Sequence, residues 1–191
     1  MRKFCIEKEV FFVSKNHSKS LRNVRVLCAV ALLAGLAIVI AYVCKSFTIT
    51  PSLRVTFENL PIILCGYLFG PFLGALCGAA ADLISTPIFG YSINPLITVG
   101  AAAVGFTAGA VRFWIFRRDG KLPLLCSVAS AHFIGNILIK SIAFVIWYGT
   151  PLIALLPRIP LYIGIAAIEF FLLWALLRNR GIQNVIGEIK G

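Results

Sequence analysis

Charge is scarce in this sequence. Only 13% of its 191 residues are Asp, Glu, Lys or Arg, and only seven are acidic. A soluble domain carries about a quarter charged residues, so there is too little charge here to cover a water-facing surface. The alternating ten-residue stretches that mark a membrane β-barrel are missing. No GxSxG, HExxH or P-loop pattern occurs, which removes the usual signatures of serine hydrolases, zinc peptidases and nucleotide-binding loops. None of the six cysteines (Cys5, Cys28, Cys44, Cys65, Cys77 and Cys126) belongs to a CxxC pair. They read as small apolar packing, with no disulfide framework and no metal site. No catalytic residue, metal or cofactor is therefore expected.

What the chain does have is hydrophobic residues, 60% of the total, at a mean hydropathy of +0.95. They fall in continuous blocks. With the bilayer as solvent, only helices and closed barrels satisfy the backbone, and continuous blocks mean helices. The first block starts near residue 26, behind a long basic tail. It has no early apolar stretch with a cleavage site, so it reads as a retained helix. The tail carries scattered apolar residues, Phe4 and Val10 to Val13, and can lie along a membrane surface.

A net charge of +11 raises the question of nucleic acid, but the placement of the cations answers it. Arg2, Lys3, Lys8, Lys15, Lys19, Arg22 and Arg25 precede the first block. Arg112, Arg117, Arg118 and Lys121 share one loop, and Arg178, Arg180 and Lys190 close the chain. These are 14 of the 18 cations. Three clusters between apolar blocks anchor a chain against an anionic cytoplasmic leaflet. The partner implied is the lipid bilayer, with no nucleic acid.

Single spans are predicted at Val26–Val43, Ile93–Phe116, Leu122–Tyr148 and Ile159–Leu177. The stretch from Glu58 to Ser85 fits one tilted helix or two short ones. Gly70-Pro71 reads as a stop followed by a start, Gly suiting the end of one helix and Pro the beginning of the next. Two spans also put the Arg112–Lys121 loop on the side of the basic N-terminus, as the positive-inside rule requires. The expectation is an all-α membrane protein with six transmembrane helices and both termini cytoplasmic, the middle two spans being about 13 to 15 residues each and buried or tilted. Glycines at four-residue spacing (Gly66, Gly70, Gly74, Gly78; Gly105, Gly109) offer close-packing faces, and so do Ala31–Gly35 and Ala37–Ala41 in the first helix.

Ionisable residues at membrane depth are costly and mark candidate sites. Asp82, His132, Lys140 and Glu169 are such residues. His132, Asn136 and Lys140 form a stripe along the fifth helix. Asn136 and Glu169 lie at similar depth, about 16–18 Å from the outer end at a rise of ~1.5 Å per residue. A purely structural alternative pairs Lys140 with Glu169 and leaves His132 and Asn136 to bond to backbone. The outer half also collects Arg54, Asn94, Trp147, Tyr148, Arg158 and Tyr162, although Trp147 and Tyr148 equally suit an interfacial belt. Cations, a carboxylate and rings together suit a flat, polar, anionic small molecule. The substrate-binding candidates are Arg54, Asp82, Asn94, Lys140, Trp147, Arg158, Tyr162 and Glu169.

The segments Leu53-Arg54-Val55-Thr56-Phe57-Glu58-Asn59-Leu60-Pro61-Ile62, Gly66-Tyr67-Leu68-Phe69-Gly70-Pro71 and Asp82-Leu83-Ile84 resemble the folate-family S components of energy-coupling factor (ECF) transporters. Shared features are an Arg in the first outer loop, a Pro-Ile helix start, a Gly-Pro hairpin and Asp-Leu closing helix three. The resemblance covers about residues 25–180, with 1–24 a basic cytoplasmic tail and 181–191 a second one. It implies an S-component fold in a bacterial plasma membrane. Such a protein binds folate or a related vitamin from outside and docks on a transmembrane coupling subunit joined to two ATPases. It is not itself an enzyme. Arg54 and Asp82 carry over by motif, and Ala31, Gly35, Ala37 and Ala41 as the docking face. Other readings are an S component for pantothenate, riboflavin or another vitamin, or a small membrane enzyme or structural subunit built on the buried His132, Asn136, Lys140 and Glu169.

Overall fold

The computed structural model describes residues 24–44, 48–50, 53–54, 56–117 and 120–190. The basic N-terminal segment expected over 1–24 lies outside the described residues except for Val24.

Helix α1 (Val24–Cys44) is an uninterrupted apolar run without proline or acid, long enough to span a bilayer. Strands β1 (Thr48–Thr50) and β2 (Leu53–Arg54) follow, antiparallel, with Thr48 opposite Arg54. This short hairpin lies in the connection between α1 and α2 and leaves the fold class all-α; its Thr and Ile residues favour extended backbone. Helices α2 (Asn59–Phe69) and α3 (Pro71–Ile88) come next. The predicted break between them is present: Gly70 has φ of 103°, open to glycine, and Pro71 starts the new helix. Their lengths differ from expectation. Helix α2 has 11 residues and α3 has 18, since Asp82-Leu83-Ile84 does not end the helix.

Helix α4 (Pro95–Phe116) opens on Asn94, whose side chain accepts the Leu96 N–H at 3.0 Å, a helix N-cap. It finishes in a π-helical segment, Val111–Phe116. Helix α5 (Lys121–Tyr148) contains a second π-helical segment, His132–Ile139. The short α6 (Leu152–Leu155) leads to α7 (Arg158–Arg178), and α8 (Arg180–Lys190) closes the chain. The predicted C-terminal tail is thus helical. Ile186 and Ile189 of α8 pack against the core, and Arg25 of α1 donates to Glu188 O at 3.5 Å.

Among the described residues, five helices (α1, α3, α4, α5, and Ile153–Arg178 containing α7) are long and apolar enough to cross a membrane. At ~1.5 Å per residue, α2 reaches only about half of a ~30 Å hydrocarbon core. It is enclosed instead: all its residues from Pro61 to Phe69 are buried.

Glycine sets the spacing in the α2–α3–α4 layer. A Cβ on Gly66 or Gly74 would strike Gly105 O, and one on Gly109 would strike Gly70 and Pro71. Backbone thus lies on backbone, the small-residue packing that lipid favours. Around it the core is filled by Ile63, Leu73, Cys77, Val104, Leu124, Val128 and Leu173. At the end of the molecule away from the hairpin, Lys121 and Arg178 sit over the Trp174 ring at 4.8 and 5.4 Å, and Arg112 over Tyr67 at 4.9 Å.

Candidate ligand-binding site

At the hairpin end the packing opens into a cavity of about 390 Å³, within the range of small-molecule sites. Helices α3, α5 and α7 and the segments before α2 and α4 wall it. Its charged lining is Glu58, Asp82, Lys140 and Arg158; its rings are Phe89, Tyr91, Phe144, Tyr148 and Tyr162; Thr56, Ser85, Thr86, Ser92 and Thr150 supply hydroxyls. A narrow recess at its inner edge is lined by Glu58, Asn59, Asp82 and Lys140 together with Ala37 and Ala41.

Each charged group is held differently. Asp82 Oδ2 accepts from Thr98 Oγ1 at 2.7 Å. Lys140 Nζ lies 3.8 Å from Glu58 Oε1, so the alternative in which Lys140 pairs with Glu169 is not the one adopted. The reason is direction: the Lys140 side chain reaches toward the start of α2, while Glu169 is taken by His132, whose Nε2 is 2.7 Å from Glu169 Oε2.

Arg158 is the unusual group. It is 2% exposed. Its Nη2 donates to Asn136 O at 3.1 Å, and its guanidinium lies 4.9 Å from the Phe144 ring and 5.4 Å from Tyr162. Nε and Nη1 have no partner among the described residues. Buried charge without a counter-ion is costly, and it is stabilised by an anion that fills the open positions.

Of the eight candidate residues, the fold brings Asp82, Lys140, Arg158 and Tyr162 to one cavity. Asn94 is not in the lining; it caps α4, and its peptide carbonyl is 3.2 Å from Thr98 Oγ1, the hydroxyl that donates to Asp82. Glu169 is fully buried behind the site, against His132. Trp147 is 56% exposed and points away, as a belt residue does. The backbone of Arg54 is in β2, and its side chain lies outside the described residues. Glu58, Phe89, Phe144 and Tyr148 were not among the candidates. Two of them had a signal: the stripe His132, Asn136, Lys140 continues at the same spacing through Phe144 to Tyr148.

The first-helix faces divide. Ala31 and Gly35 are exposed, with nothing within 4 Å of a Cβ on Gly35, while Ala37 and Ala41 are each 1% exposed and line the recess. Ala37 and Ala41 are spent on internal packing and cannot also present a docking face.

The family model for the substrate-specific component of ECF transporters matches residues 25–186. The chain belongs to this family. As a substrate-specific component with several apolar helices it is a multi-pass membrane protein, and its family is one of transporter components, not enzymes. The folate transporter FolT of Clostridium novyi (strain NT) is 26% identical over 152 residues, covering 74% of this chain and 84% of that protein. An uncharacterized protein of Mycoplasma pneumoniae (strain ATCC 29342 / M129 / Subtype 1), the MG313 homolog, is 32% identical over 94 residues; the match takes in 49% of this chain and 32% of that longer protein. A crystal structure of FolT bound with folic acid has the same fold, with a TM-score of 0.67 at 20% identity, over 80% of this substrate-specific component and 92% of that chain.

Proposed function

We propose that this chain captures folate, or a closely related vitamin, in the cavity at its hairpin end. The observation that carries the reading is Arg158, a buried cation with two unpartnered nitrogens lining a cavity walled by aromatic rings. A heterocycle stacks on the rings. Its donor groups meet Glu58 and Asp82, and an attached carboxylate meets Arg158 and Lys140. The folate transporter relative and the fold shared with FolT favour folate within this class.

Six helices lie in the plasma membrane of a bacterium, α2 being enclosed by its neighbours, and both termini are cytoplasmic. Support comes from the described cations Arg25, Arg112, Arg117, Lys121, Arg178 and Arg180, all at or beyond the helix ends opposite the hairpin. The cavity then faces outside. Uphill delivery needs a transmembrane coupling subunit and two ATPases, since the chain has no P-loop of its own. Ala31 and Gly35 of α1 form the docking face. Arg54 and Asp82 contact the ligand, with Asp82 oriented by Thr98; Asn94 and Glu169 act behind the site.

Mass spectrometry of small molecules copurified with the chain tests this directly. Folate is the expected ligand. Pantothenate or riboflavin in its place would keep the importer and reject folate. No ligand, with no vitamin binding on titration, would reject the capture role.

A further inference from the structure

Beneath Arg158 runs a chain of polar contacts that ends in the Glu169 carboxyl group. Arg158 Nη2 donates to Asn136 O; Asn136 Nδ2 is 3.1 Å from His132 Nδ1; His132 Nε2 is 2.7 Å from Glu169 Oε2. His132, Asn136 and Glu169 are each 2% exposed or less, and none of the three lines the cavity. Helices α5 and α7 run antiparallel here, with Arg158 beside Asn136 and Glu169 beside His132. The Tyr162 ring, which also flanks Arg158, stands 5.8 Å from the His132 ring.

The contacts fall on the π-helical segment His132–Ile139. In a regular α-helix the Asn136 carbonyl belongs to the i→i+4 ladder. A π segment bonds i→i+5 and is rare, occurring frequently at functional sites. Here the wide turn carries the one carbonyl that bonds Arg158, and the His132–Asn136 side-chain link clasps that same turn. With His132 Nδ1 accepting from Asn136 Nδ2, Nε2 carries the proton that meets Glu169. Glu169 therefore fixes the tautomer, the tautomer fixes the Asn136 amide, and the clasped turn fixes the acceptor of Arg158. The Glu169 carboxyl group is thus spent on His132, and the buried guanidinium has no carboxylate against it among the described residues.

We propose that His132, Asn136 and Glu169 are positioning residues that hold the Arg158 guanidinium at the cavity wall with two nitrogens unpartnered, and so set the site's preference for carboxylate over neutral ligands. This rests on the reading of Arg158 as a ligand contact. Released from the clasp, the Asn136 amide competes for the same guanidinium, and Arg158 loses the direction that suits an incoming carboxylate.

The test uses the full chain in nanodiscs with two probes, folate and its diamide, in which both glutamyl carboxylates are carboxamides. The wild type should prefer folate by about tenfold or more, the size of a charge-assisted hydrogen bond. The variant combines His132→Phe with Glu169→Leu, because exchanging a buried polar pair for apolar groups preserves folding where a single change strands the partner. It should lose most of the preference while holding the diamide to within about twofold, and do nothing further in an Arg158→Gln background. Equal weakening of both probes, or an undiminished preference, overturns the positioning role alone. A preference untouched by Arg158→Gln overturns the site reading and the inference with it. Nitrogen-15 spectra of the arginine side chains give a readout that needs no ligand. Arg158, identified by the signals that Arg158→Lys removes, should show separate, slowly exchanging Nη resonances. They should merge in the paired variant, and their persistence there overturns the proposal whether or not folate binds.

Discussion

The two ends of the helix bundle solve opposite problems. Away from the hairpin, α2, α3 and α4 meet glycine on backbone, at Gly66, Gly74, Gly105 and Gly109. Toward the hairpin, α3, α5 and α7 are held apart by Arg158, Lys140 and a set of rings, and a cavity of about 390 Å³ is left between them. Small residues close one half, and large polar and aromatic residues prop open the other. The lesson is that in lipid, where apolar surface gives no net drive for helix association, spacing is set by side-chain size and by polar contacts.

The largest effect should come from filling the closed half. Gly105→Leu puts a side chain where the Gly74 backbone lies, and should cost about 3 kcal/mol or more, read as a large fall in thermal unfolding temperature in detergent. Next, in the open half, Arg158→Gln should weaken folate by about tenfold to a hundredfold, measured by titration. Its unfolding temperature should hold or rise, because an unpaired buried charge is gone. If stability falls with affinity, Arg158 belongs to the structural half of the comparison. A smaller effect on this bundle is expected from Gly35→Leu, since a Cβ there meets nothing. Unfolding temperature and folate binding should stay near wild type while energised uptake into vesicles carrying the coupling subunit and ATPases falls. The least effect belongs to Trp147→Ala, whose ring faces outward; folate binding should be unchanged and stability should move by less than about 0.5 kcal/mol.

Much of the closed half was legible from residue type and spacing. Gly70-Pro71 and the glycine repeats follow from rules that act over a few residues, whereas the lengths of α2 and α3 did not. Asp82 and Lys140 were legible as site candidates because ionisable groups at membrane depth stand out, and Arg158 and Tyr162 because they fall in the outer half. What was not legible depends on direction. Glu169 and Lys140 have compatible depths and opposite charges, yet Glu169 turns to His132 and Lys140 to Glu58. Ala37 and Ala41 look like Ala31 and Gly35 in sequence, but lie on the inward side of the same helix. The π-helical turn at His132–Ile139 has no composition signal, since Gly and Asn there read equally as small or polar packing. It carries the Asn136 carbonyl to which Arg158 donates.

The central claim is that the open half is built around an anion at Arg158. Titrating folate into the purified chain and into Arg158→Gln, with matched unfolding curves, tests it most directly. The account predicts one folate per wild-type chain and at least about tenfold weaker binding in the variant at undiminished stability. Equal affinity in the two proteins would contradict it.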